Sequence, residues 1–170
     1  MSENENGKRL AELSGILSAK AAEVLKPILA RNPNLNSSAE WGERSEEIGT
    51  NVLMAFLESK ELGEDVLSQE DKEILKNLIQ SFDLKQSKED FHAKIFEVLQ
   101  GGKVNEADKI NEAEKFLVRL KKFTNFLVNI GRGTKQPERQ AAISAVVTVQ
   151  AILNGLEDAI EDARVANNID

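Results

Sequence analysis

The chain has 170 residues, of which 41% are hydrophobic and 30% are charged, and its formal net charge is −7. This composition excludes a disordered polyelectrolyte and fits one compact domain of ordinary size. Cysteine is absent and histidine occurs once, which excludes disulfides, thiolate metal sites and any site that needs two imidazoles. The acidic balance argues against binding to nucleic acid.

Apolar residues recur every three or four positions, and strictly alternating runs are absent, so the sequence predicts an all-α protein. Short links between successive helices favour antiparallel neighbours. We therefore predict an up-and-down antiparallel helical bundle of four long helices with an inserted short helical hairpin, five to six helices in total. Residues 8–166 are predicted to form a single helical-bundle domain, between a disordered N-terminus at 1–7 and a frayed C-terminus at 167–170.

The first two helices are predicted at 8–30 and 38–62. Pro27 is expected to kink or shorten the last turn of the first helix, because proline cannot donate a backbone hydrogen bond. Ser37 or Ser38 is the predicted N-cap of the second helix. The apolar stripe of the first helix comprises Leu10, Leu13, Leu17, Val24 and Ile28, and that of the second comprises Trp41, Ile48, Val52, Ala55 and Phe56.

Two shorter helices are predicted at 68–83 and 87–100, each with a hydroxyl cap before carboxylates in its first turn. The caps are Ser68 and Ser87, and Asn105 repeats the pattern before the next helix. The apolar positions do not keep a constant phase after these caps, which indicates recurring capping without an internal repeat.

The last two helices are predicted at 105–131 and 137–166. Pro137 suits the first turn of the last helix, and the small residues of that helix would allow close approach to its neighbours. The expected core positions are Ile110, Ala113, Leu117, Leu120, Phe123 or Thr124, Leu127 and Ile130 on the first of these helices. On the second they are Ala142, Ala145, Val146, Val149, Ile152, Leu153, Leu156 and Ile160.

The helices predicted at 38–62 and 137–166 carry more apolar residues than a minimal bundle needs. This excess indicates a second packing face, either for a protein partner or for a second copy of the chain. The alternative is that the short hairpin covers these helices from a second side. The residues predicted to bind a partner are Trp41, Leu53, Phe56, Leu57, Val147 and Leu153.

Like charges lie close together on the last predicted helix. Glu157 and Glu161 are four positions apart, and so are Asp158 and Asp162. Such repulsion destabilises a helix, so an internal compensation is expected, with a calcium or basic-peptide site as the alternative. The compensating cations are predicted to be Lys115, Arg119, Lys121, Lys122, Arg132, Lys135 and Arg139.

Two short segments carry part of a known ligand-site pattern. Glu89 and His92 have the Glu-x-x-His spacing of di-iron helical bundles, but such sites need a second copy of the motif. The segment from Gly131 to Lys135 follows a helix, whereas nucleotide-binding glycine loops follow a strand. We therefore predict no metal site, no cofactor and no catalytic residue.

The sequence favours a non-enzymatic protein-interaction module, such as an adaptor, chaperone, inhibitor or delivered effector, acting through apolar faces of an acidic helical bundle. The expected partner is a protein or a second copy, with no nucleic acid and no stable membrane insertion. The polar N-terminus is unlike a secretory signal, so a cytoplasmic location is expected, with signal-less secretion left open. Two alternative functions are a pore-forming protein and a small-molecule or lipid carrier with a pocket lined by Phe96, Phe116, Phe123 and Phe126.

Overall fold

A computed structural model describes residues 3–33, 35, 40–82, 87–99 and 106–167. In these residues the chain forms six α-helices that pack against each other and no strand, which confirms the predicted all-α, bundle-like fold. The helices are α1 (Glu3–Arg31), α2 (Glu40–Glu58), α3 (Gln69–Ser81), α4 (Lys88–Leu99), α5 (Glu106–Gly131) and α6 (Glu138–Ala166).

The chain divides into two compact units, each built from two separate segments. Unit 1 comprises Met1–Val66 and Thr124–Val149, and unit 2 comprises Leu67–Phe123 and Gln150–Asp170. Helices α5 and α6 therefore contribute residues to both units. The assignment of 8–166 to a single domain stays a prediction.

In unit 1, α1 packs against α2. Helix α1 begins at Glu3, five residues before its predicted start, whereas the predicted disorder at 1–7 stays a prediction. It also continues past Pro27 to Arg31. Leu10 was expected in the buried stripe but is exposed. The buried residues of α1 recur every four positions from Leu13, and Leu10, three positions before Leu13, lies outside this series. The main core side chains of unit 1 are Leu13, Leu17, Ala21, Leu25, Ile48, Val52, Leu53, Phe56, Leu127, Ile130, Ala142, Ala145 and Val149.

Helix α2 lies very close to α6 within unit 1. A methyl group added at Gly49 would lie 2.6 Å from the carbonyl carbon of Ser144 and 2.6 Å from Oγ1 of Thr148. Such distances are shorter than van der Waals contact, so only glycine fits at this crossing. The predicted caps of α2, Ser37 and Ser38, lie outside the described residues.

In unit 2, α3 packs against α4, which confirms the predicted helical hairpin. The hydroxyl of Ser68 accepts a hydrogen bond from the backbone N–H of Asp71, and Ser87 accepts one from Asp90, both at 3.1 Å. These bonds confirm the two predicted caps, whereas Asn105 lies outside the described residues. The core of unit 2 includes Leu75, Leu78, Ile79, Phe91, Ile95, Ile110, Ala113, Phe116, Leu120, Phe123, Ile152, Leu153, Leu156 and Ile160.

Ion pairs in unit 2 give the direction of α5 relative to α6. Glu114 pairs with Arg164, and Lys121 pairs with Glu157 at 3.3 Å. A step of seven residues forward on α5 matches seven residues backward on α6, so the two helices are antiparallel here. The pair at Glu157 confirms part of the expected charge compensation.

Asp162 on α6 pairs with side chains of α4, whereas the sequence predicted compensation from the region of α5. Its carboxylate lies 3.6 Å from Nζ of Lys88 and 3.3 Å from Nδ1 of His92, both on α4. The sole histidine of the chain is therefore engaged with a carboxylate on α6.

Helix α6 begins one residue after Pro137, which was expected inside its first turn. Among the described residues, α6 is the one helix that is long and apolar enough to cross a membrane. Half of its apolar window is buried in the structure, and core helices of soluble proteins pass the same test. Its apolar composition is therefore no indication of membrane insertion by itself.

Candidate functional site

The structure places most of the predicted partner-binding residues inside the protein. Leu53 and Phe56 are fully buried, Leu57 and Leu153 are almost fully buried, and Trp41 is half-buried. A side chain in a closed core cannot contact a partner on the folded chain. Leu53, Phe56, Leu57 and Leu153 therefore belong to the cores, and a partner-binding role for Trp41 and Val147 stays a prediction. Of the six residues, Val147 alone is exposed.

Helix α6 exposes two large apolar side chains one turn apart in unit 1. Ile143 is 52% exposed and Val147 is 62% exposed. Exposed β-branched residues weaken a helix slightly relative to alanine or lysine, and they bury little apolar area in return. The two side chains form a small apolar patch on α6 that the core of unit 1 does not cover.

A cavity of about 330 Å³ lies where α5 ends and α6 begins. Ile143 is one of the residues that line it, and Val147 lies one helical turn further along α6. We call the turn groove this cavity together with Val147. Its walls are largely apolar but include Arg132 and Arg139, and we call these two arginines together with Lys135 of the same turn its rim. The cavity is lined by Val128, Gly131, Arg132, Arg139, Ile143 and Val146.

Hydrogen bonds within the α5–α6 turn fix the rim of the turn groove. Nε of Arg139 donates to the carbonyl oxygen of Thr134 at 3.0 Å, and Nη2 donates to that of Arg132 at 3.0 Å. The hydroxyl of Thr134 donates to the carbonyl oxygen of Gly131 at 2.6 Å. These three hydrogen bonds connect residues 131 to 139 of the turn to one another.

The segment that forms the turn groove is positively charged in a protein that is acidic as a whole. From Thr124 to Val149 the sequence holds three cations and a single carboxylate, that of Glu138, whereas the net charge of the chain is −7. Arg132 and Lys135 are exposed, and within the described part of the chain neither side chain pairs with a carboxylate. Two cations are therefore available to an external anion.

A second cavity, of about 420 Å³, lies on α1 and is lined by Arg9, Glu12, Gly15, Ile16, Ala19 and Glu61. Its cation already has partners, because Nε and Nη2 of Arg9 donate to the carboxylate of Asp65 at 2.8 and 3.0 Å. Hydrogen bonding to Asp65 raises the pKa of the Arg9 guanidinium above its ordinary value, against an opposing effect of burial. This cavity therefore offers less to a charged ligand than the turn groove does.

The described residues place no other chemistry together in a way that suggests a site. Within 3–33, 35, 40–82, 87–99 and 106–167, no three His, Asp or Glu side chains converge as metal ligands would. The predicted phenylalanine pocket is not seen at either cavity, since Phe116 and Phe123 fill the core instead.

Comparison with known proteins assigns no family to this chain. No family model, no curated protein and no solved structure matches it. The sequence marked Val147 as a candidate but missed Ile143, because every residue from Ala141 to Val149 except Ser144 and Thr148 is apolar and shows no exposed face by itself.

Proposed function

We propose that this protein is a non-enzymatic protein-interaction module that binds its partner through the turn groove. The observation that carries the proposal is the exposure of Ile143 and Val147 together with the largely apolar cavity that Ile143 lines. Protein-binding sites typically combine an apolar centre, which supplies most of the affinity, with a polar rim that sets orientation. The turn groove has both parts, and the hydrogen-bonded turn keeps the rim in place.

The proposal predicts that two charges at the centre of the turn groove abolish binding and leave the fold intact. Ile143→Glu combined with Val147→Glu is expected to change the free energy of unfolding by no more than about 1 kcal/mol, because both side chains are exposed. The same variant is expected to lose binding by at least tenfold, because two carboxylates replace the apolar contact. Binders come from selection of a displayed library of random 16-residue peptides against the intact protein.

The matched control is Val118→Glu combined with Val165→Glu. These valines are 54% and 73% exposed and lie in unit 2, so the control has the same change in net charge away from the turn groove. Selected peptides that bind the control like the original chain but fail on the groove variant support the proposal. If no peptide is enriched, or if enriched peptides bind both variants equally, the proposed function is wrong.

A small-molecule or lipid carrier is the second candidate, and the 330 Å³ cavity favours it. That volume lies at the lower end of the range for ligand pockets. A metabolite or fatty acid at one hundred times its dissociation constant is expected to add about 2.7 kcal/mol of stability. A thermal-shift screen measures this as a rise in melting temperature, and a screen without any rise counts against the carrier.

A further inference from the structure

The charge of the turn groove specifies the chemistry of its partner. Resting on the proposed function, we infer that the occupant is an acidic amphipathic α-helix of another protein. Its apolar side chains enter the cavity and cover Ile143 and Val147, and its carboxylates meet the guanidinium of Arg132 and the ammonium of Lys135.

Two cations of the α5–α6 turn pair with no carboxylate in the described part of the chain. Arg132 lines the cavity itself, and Lys135 is exposed in the same turn. Glu138 is the single carboxylate of the segment from Thr124 to Val149, so the local balance is positive. Complementary charges around an apolar contact favour encounter and set the register of the partner. An acidic segment satisfies the rim, whereas a basic one would add to its repulsion.

The hydrogen-bonding needs of the partner's backbone favour a helix over an extended peptide as the occupant of the turn groove. A bound extended segment usually pairs its backbone N–H and C=O groups with an open sheet edge. The described part of this chain contains no strand that could provide such an edge. A helix satisfies its own backbone groups, and its side chains at i and i+4 match the separation of Ile143 and Val147, one helical turn or about 6 Å.

An anionic lipid surface fits the turn groove less well than an acidic helix does. Juxtamembrane or surface segments that bind acidic lipids typically carry four to eight basic residues. The α5–α6 turn offers two cations, Arg132 and Lys135, that pair with no carboxylate in the described part of the chain, which is fewer than such lipid-binding segments carry. A protein helix that carries both carboxylates and apolar side chains fits this geometry better.

The test measures the composition and the salt dependence of the selected peptides. We call groove-dependent those peptides that bind the original chain but not the Ile143→Glu/Val147→Glu variant. We expect them to be enriched in Asp and Glu on either side of apolar residues three or four positions apart. A synthetic peptide of the leading sequence is titrated by fluorescence anisotropy in 50 mM and 500 mM NaCl. Arg132→Glu combined with Lys135→Glu is expected to weaken its binding about tenfold in 50 mM NaCl, and less in 500 mM NaCl because salt screens exposed charges.

The matched control is Lys26→Glu combined with Arg44→Glu. Both residues are exposed in unit 1, and the exchange of one lysine and one arginine gives the same change in net charge. This control is expected to retain the affinity of the original chain. If this control loses as much affinity as the Arg132→Glu/Lys135→Glu variant, the net charge of the protein explains the effect and the inference is wrong.

The remaining outcomes distinguish this inference from the proposed function. Groove-dependent peptides that are neutral, basic or extended in circular dichroism overturn the acidic helix but leave the interaction module in place. Vesicles with 30% phosphatidylglycerol that bind the original chain and not the Ile143→Glu/Val147→Glu variant overturn it in favour of a lipid. A dimer in light scattering that the same variant dissociates overturns it in favour of a second copy. The absence of any groove-dependent binder removes both proposals.

Discussion

Gly49→Ala is expected to lower the free energy of unfolding by about 2–3 kcal/mol. The added methyl group would meet the backbone of Ser144 and the hydroxyl of Thr148, both at 2.6 Å or less. A backbone carbonyl cannot rotate away, so α2 and α6 would have to separate, and overpacking of this kind typically costs 1–3 kcal/mol. Urea unfolding followed by the fluorescence of Trp41, the only tryptophan, measures the change in unit 1.

Gly15→Ala is the matched control for this prediction. Gly15 lies within α1, where an added methyl group meets nothing within 4 Å. Alanine there is expected to raise the free energy of unfolding by about 0.5–1 kcal/mol, because glycine is the weaker helix former. The two identical substitutions thus have opposite expected signs. Equal effects would show that α2 and α6 do not approach as closely in solution as described.

Arg119→Met is expected to lower the free energy of unfolding by about 2–3 kcal/mol. Arg119 donates to both carboxylate oxygens of Asp71, at 2.7 and 3.1 Å, and its guanidinium lies 5.8 Å from the ring centre of Phe116. The side chain of Asp71 is only 5% exposed, while that of Arg119 is 45% exposed. Removal of the cation leaves a buried carboxylate without its partner, and that desolvation dominates the cost.

Two further variants separate the ion pair from the loss of a surface charge. Lys122→Met removes an exposed cation three residues further along α5 and is expected to change stability by less than about 0.5 kcal/mol. Asp71→Asn combined with Arg119→Met is expected to recover part of the loss, because the buried charge is then absent. Thermal unfolding monitored by circular dichroism measures all three. No recovery in the double variant would show that packing of the Arg119 side chain, and not the charge, stabilises unit 2.

Local sequence patterns predicted the helices well, because helix formation depends on neighbouring residues. The spacing of apolar residues predicted all six elements, and the caps at Ser68 and Ser87 form the expected hydrogen bonds. Errors lie at the ends of helices, where propensity is weak and tertiary contacts decide. Helix α1 begins at Glu3 and continues beyond Pro27, and α2 ends at Glu58, before the predicted end at residue 62.

The pairing of charges could be predicted only in part. The sequence predicted that cations of α5 would neutralise acids of α6, and Lys121 with Glu157 confirms this. The partners of Asp71 and Asp162 were not predicted, since Arg119 is 48 residues from Asp71 and Lys88 is 74 residues from Asp162 along the chain. A pattern that repeats every three to four residues contains no information about pairs at such separations.

The sequence by itself determined that this chain is all-α, acidic and without thiol chemistry, because these properties follow from composition and local periodicity. The tertiary structure decided which apolar residues remain at the surface. Helix α6 is apolar on several faces near its start, and the face that meets Gly49 contains Ser144 and Thr148. With that face packed against α2, Ile143 and Val147 lie at the surface. Their exposure results from a contact nearly one hundred residues apart in the chain, which local sequence cannot specify.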